Sequence, residues 1–164
     1  MTASAAVRTS PLRTWLLWTT GFLAFPLAGV AGTAVAGRVD SPLAALLGGT
    51  ITGLVIGAGQ ALVSRRRLDP RWWIPATAIG MGLGLPLAAA LVGYRTSLAD
   101  LALMGALTGA ALGIAQALAL PRETRLRWVW AAAMPVLWAL GWTTPPLAGS
   151  PSTSSSRSSE PTER

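Results

Sequence analysis

Five long apolar runs leave this chain few folds to choose from. They cover residues 15–36, 42–63, 72–92, 98–120 and 128–142, with short polar connections between them. Water does not reach the hydrocarbon core of a bilayer, so each backbone N–H and C=O there must be satisfied internally. A helix does this within one segment. A span needs about 20 mostly apolar residues, with a range of roughly 17–25. The first four runs meet that length, and the fifth does so if it continues to Leu147. Only 12% of the 164 residues are charged, against about 25% in soluble domains. The expected fold class is all-α: a polytopic transmembrane helix bundle of about five helices. They are expected at residues 14–36, 42–64, 71–93, 97–120 and 127–147, within a bundle covering 14–148 and after a cytoplasmic segment, 1–13.

A net charge of +7 raises the question of nucleic acid, and the positions of the charges answer it. Arg65, Arg66, Arg67 and Arg71 fall between runs two and three. Arg122, Arg125 and Arg127 fall between runs four and five, and Arg8 and Arg13 precede run one. The other two connections hold one Arg and one Asp each, Arg38 with Asp40 and Arg95 with Asp100. Basic and neutral loops alternate, which is the positive-inside pattern of a multi-pass protein of the cell membrane, its N-terminus inside and its C-terminus outside. The arginines are topogenic on this reading, with anionic lipid headgroups as a secondary contact. No basic domain stands outside the membrane to hold nucleic acid. Arg8 and Arg13 before a stretch ending in Ala34-Val35-Ala36 also have signal-peptide form. That stretch is over-long for such a segment, so the first span is expected to be retained.

The chain contains neither Cys nor His. Disulfides, thiol nucleophiles, imidazole relays and the usual metal ligands are thereby removed. Gly80-Met81-Gly82-Leu83-Gly84 follows no strand and lies mid-span, so it is not a nucleotide loop. No Asp, Glu or Arg falls inside an apolar core, and such residues usually mark pumps and ion-coupled carriers. No enzyme activity, cofactor or metal is expected.

Helix starts are written into the connections. Ser41-Pro42 and Asp69-Pro70 each pair an N-cap with proline at the first helical position. Ser97 with Asp100 has capping-box form. Trp15 and Trp18, Trp72 and Trp73, and Trp128 and Trp130 follow basic residues at helix starts. Amphipathic rings belong at the headgroup boundary, so these read as belt anchors. Pro26, Pro75, Pro86 and Pro135 lie inside spans and predict kinks.

One sentence of the sequence is written twice. Thr52-Gly-Leu-Val-Ile-Gly-Ala-Gly-Gln-Ala-Leu62 returns as Thr108-Gly-Ala-Ala-Leu-Gly-Ile-Ala-Gln-Ala-Leu118, 56 positions on. An ungapped alignment matches Gly49, Thr52, Gly53, Gly57, Gln60, Ala61, Leu62, Arg66, Arg71 and Trp72 to identical residues at that offset. The internal repeat reads as a Gly-rich helix descending to a basic loop, then Trp opening the next helix. Two such hairpins are complete, and a third begins at Trp128 and stops. At about 100° per residue, Gly49, Gly53, Gly57 and Gln60 share one stripe, as do Gly105, Gly109, Gly113 and Gln116. Lipid gives little reason for helices to associate through apolar surface, so small residues matter because they let backbones approach closely. Each stripe is expected to be a glycine-zipper packing face, with its glutamine hydrogen-bonding across the seam. The competing reading makes Gln60 and Gln116 a paired polar site for a substrate.

Gly-x-x-x-Gly-x-x-x-Gly-x-x-Gln, a basic loop, then Trp at a helix start resembles a group of small bacterial integral membrane proteins carrying this unit in tandem, often as Gln-Trp-Leu-Val-Leu-Arg. Here Gln60-Ala61-Leu62-Val63-Ser64-Arg65 and Gln116-Ala117-Leu118 match it without the Trp after Gln. The resemblance covers roughly residues 14 to 144 and implies no activity. Residues 149–164 are Ser-rich and expected to be disordered, either an exported tail or the product of a shifted frame in place of a sixth helix. The expected function is that of an integral membrane protein acting through helix packing, as a subunit, scaffold or envelope component. Its partners are then the lipid bilayer and either a second copy or another membrane protein. The alternative is a permease or channel for a small neutral or lipid-like solute.

Overall fold

The structure, a computed structural model, describes residues 11–64 and 67–144. The tail at 149–164, Arg8, and Arg65 and Arg66 lie outside the described residues. Six helices follow in order: α1 Pro11–Phe22, α2 Ala24–Ala36, α3 Pro42–Val63, α4 Pro70–Leu91, α5 Leu98–Ala119 and α6 Arg127–Thr143. The described residues contain no strand. Thr19–Ala36, α3, α4 and α5 are each long and apolar enough to cross a membrane. The protein is an all-α transmembrane bundle. Leu54, Leu83, Leu87 and Ile114 are exposed on the outer faces of α3, α4 and α5, as lipid-facing side chains should be.

The first span differs from the single helix expected at 14–36. It breaks between α1 and α2 at Leu23, three residues before Pro26. Proline has no N–H and its ring crowds the carbonyl four residues back, which here belongs to Phe22. The Leu23 amide instead bonds the carbonyl of Thr20 at 3.1 Å, one residue short of α-helical spacing. Pro75, Pro86 and Pro135 stay within continuous helices. α6 ends at Thr143, four residues before the expected end at 147.

The starts of α3, α4 and α5 are capped by side chains. Ser41 Oγ accepts the Ala44 amide at 3.3 Å, Asp69 Oδ1 the Arg71 amide at 3.0 Å, and Ser97 Oγ the Asp100 amide at 3.2 Å. Asp100 also pairs with Arg95 at 3.1 Å, neutralising the loop before α5. Asp69 fixes where α4 begins, and with it which indole at the start of that helix turns inward.

Each helix from α2 to α6 packs on its neighbours in the chain, and α1 leans back on α3. An apolar cavity of about 320 Å³ lies between the five spans. Phe25, Thr52, Met81, Met104 and Trp138 bring one wall residue each from α2, α3, α4, α5 and α6.

Candidate functional site

The two glycine stripes lie at close helix crossings. A Cβ built on Gly49 would come 2.6 Å from the Met81 carbonyl oxygen, and one on Gly53 2.6 Å from that of Thr77. At Gly57 the neighbour is Ile74 Cα at 3.1 Å. The α5–α6 crossing repeats these contacts: Gly105 against Trp138 O at 2.7 Å, Gly109 against Met134 O at 2.6 Å, Gly113 against Ala131 O at 2.8 Å. What opposes each glycine is main chain, which has no rotamer to move aside. All six are buried. The partners step by 57 residues (Met81 to Trp138, Thr77 to Met134, Ile74 to Ala131) while the glycines step by 56. The connection from α5 to α6 is therefore one residue longer than that from α3 to α4.

That extra residue decides which tryptophans correspond. The ungapped alignment pairs Trp72 with Trp128, and both face outward, at 69% and 52% exposure. The pair that reaches the glutamines is Trp73 and Trp130, 57 apart. Trp73 is 4% exposed and donates its indole N–H to Gln60 Oε1 at 2.9 Å. Trp130 donates to Gln116 Oε1 at 3.0 Å. Each caps the glutamine of the preceding helix; Trp73 is therefore no belt anchor, while Trp130 remains 38% exposed. Trp72 and Trp128 have the exposure a headgroup anchor needs, and the Arg127 guanidinium lies 5.2 Å from the Trp128 ring centre.

The two glutamines also meet each other. Gln116 Nε2 donates to Gln60 Oε1 at 3.2 Å and to Thr77 Oγ1 at 3.1 Å. Thr77 in turn donates to the Trp73 carbonyl at 2.8 Å. Gln116 and Thr77 are completely buried. One continuous hydrogen-bonded chain thus ties α3, α4, α5 and α6 together at their basic-loop end. The helices α3 and α5 make no backbone contact, so this amide pair bridges them across α4. Each such bond in a membrane protein contributes about 0.6 kcal/mol, at most about 1.7. The members are two amides, two indoles and a hydroxyl, none of which titrates near neutral pH. The arrangement holds helices in register and moves no protons.

Spacing along the stripe points to the glutamines. The indoles escape it, because tryptophan after arginine at a helix start has the same appearance whether it faces lipid or protein. A usable signal was present: Trp73 and Thr77 are four apart, on the face that meets Gly53 and Gly57.

The arginines of the basic connections gather near the same end. Arg67, Arg71, Arg122 and Arg125 are exposed and Arg127 is half-buried. Arg67 and Arg122 both line a cleft of about 530 Å³, with Asp69, Trp72 and Leu118. No protein-family model, curated protein or solved structure matches this chain.

Proposed function

We propose that this protein is a non-enzymatic packing subunit of a cell membrane, its polar membrane residues serving helix association rather than transport or catalysis. The observation that carries this is the complete burial of Gln116 with each of its oxygen and nitrogen atoms engaged by protein. A substrate site needs polar atoms to offer, and here they are spent on neighbouring helices. The cavity supports the same reading, since neither glutamine lines it. The matched contacts of the two hairpins further support an internal tandem repeat, whose two copies build equivalent seams.

Proteoliposomes test this against the permease alternative. Stopped-flow shrinkage in glycerol, urea or sucrose should run at the rate of protein-free vesicles. A protein-dependent flux that Gln116→Leu changes would replace the packing reading with a transport one.

In orientation, the alternation of arginine-rich and neutral loops favours the α3–α4 and α5–α6 connections inside. The native chain lacks cysteine, so single-cysteine variants give a clean readout. Thr96→Cys should react with a membrane-impermeant maleimide in intact cells, and Leu68→Cys only after permeabilisation. Labelling of both in intact cells would overturn the assignment.

A further inference from the structure

Two outer positions around the cavity are filled by helices, and a third of the same kind is not. α3 sits between α2 and α4, and α5 sits between α4 and α6. Toward the preceding helix they occupy corresponding positions, although among the described residues the Thr108 hydroxyl has no hydrogen-bond partner. Thr52 of α3 donates to the Ala28 carbonyl of α2 at 3.3 Å. Fifty-six residues on, Thr108 of α5 lies against Gly84 of α4, where a Cβ would come 3.2 Å from Thr108 Cα. The three inner helices correspond as well. Phe25, Met81 and Trp138, stepped by 56 and 57 residues, all line the cavity, and so do Gly29, Leu85 and Trp142 one turn along. Matching residues of α2, α4 and α6 thus converge on one apolar space, as in an arrangement with approximate three-fold symmetry.

Carrying the Ala28 to Gly84 step forward by 57 reaches Gly141 of α6. Among the described residues, nothing lies within 4 Å of a Cβ built there. Leu137 and Leu140 beside it are exposed, and Phe22 on the first span is 72% exposed. α6 and α2 make no backbone contact, though the Phe25 and Trp138 rings stand 6.4 Å apart at the inner edge. The sequence outside the described residues cannot fill this slot: neither 1–10 nor 145–164 contains an apolar run near the length of about 20 that a span needs.

We propose that the slot between α6 and α2 receives one transmembrane helix from outside residues 1–164, with small residues at four-residue spacing. The occupants of the two equivalent positions, α3 and α5, fix that chemistry. In a second copy the stripes of α3 and α5 are already covered by its own α4 and α6. The inference rests on the packing-subunit reading and names its partner.

The probe is a synthetic peptide copying residues 98–120, with an acceptor dye at its N-terminus. The full chain carries a donor on Thr144→Cys, and both are placed in bicelles. Saturable energy transfer is expected for this peptide. A peptide with Gly105, Gly109 and Gly113 changed to Leu should bind at least tenfold more weakly. Gly141→Leu in the protein should weaken binding of the parent peptide at least tenfold without lowering the melting temperature. Absence of transfer, equal binding of the Leu peptide, or binding that survives Gly141→Leu (as exchange with the chain's own α5 would) overturns the proposal. So does a lowered melting temperature for Gly141→Leu, since that position would already be packed. Solute flux in the vesicle assay would instead remove the packing-subunit reading itself, so the two failures are distinct.

Discussion

Gly53→Leu is expected to lower the melting temperature of the detergent-solubilised protein by about 10 °C. Overpacking an interior costs about 1–3 kcal/mol when side chains can adjust. At Gly53 the first added carbon would sit 2.6 Å from the Thr77 carbonyl oxygen and 2.7 Å from Ala78 Cα. Main chain cannot rotate away, so α3 and α4 must separate and the effect falls at the upper end. Separation also lengthens the bond from Trp73 to Gln60, which closes the same seam two turns along. Ala58→Leu on the exposed face of α3 adds the same bulk toward lipid and should shift the midpoint by less than about 2 °C. Differential scanning fluorimetry of both variants decides it. Equal melting of Gly53→Leu and the parent would mean that the glycine stripe is not a packing surface.

Gln116→Leu is the second large effect. It deletes three hydrogen bonds at a fully buried position, leaves the Trp130 indole N–H without its acceptor and strands one face of Thr77 away from water. At about 0.6–1.7 kcal/mol per bond, the loss is about 2–5 kcal/mol and a midpoint drop of about 5–15 °C. Gln60→Leu should cost less, since Gln60 is only half-buried and accepts two bonds. Gln116→Asn separates polarity from reach. Its amide is one methylene shorter, so it should melt close to Gln116→Leu. Recovery of parental stability by Asn would show that any buried amide suffices and that the specific chain of partners does not matter.

Much of this architecture could be read from spacing alone. Runs of some 20 apolar residues dictate helices because hydrocarbon offers the backbone no other partner. Glycines four apart declare a close crossing, and Gln60 sits within that stripe by simple angular arithmetic. Other features depend on quantities the spacing does not carry. Which of Trp72 and Trp73 turns inward depends on one residue's rotation of α4, set by the Asp69 cap. The correspondence of Trp73 with Trp130 depends on a loop longer by one residue, which an ungapped alignment conceals. Pro26 and Pro86 have the same appearance in sequence, yet only the first lies beside a break. α4 is clasped by α3 and α5 along its length, so its helix survives the lost hydrogen bond, whereas α1 rests on α3 alone. The cavity was illegible for a different reason: it arises from the mutual placement of helices distant in sequence, whereas the open face of α6 follows from the third hairpin that begins at Trp128 and stops.

The central claim is that the buried amides are dry glue, and indole hydrogen exchange reads this directly. In lipid nanodiscs transferred to D₂O, the Trp73 and Trp130 indole N–H signals should persist long after those of Trp72 and Trp128 have exchanged. In Gln116→Leu, protection at Trp130 should collapse while Trp73 retains part of its own through Gln60. Exchange of Trp73 and Trp130 at the rate of Trp72 in the native protein would place water at the glutamines, and would contradict the account.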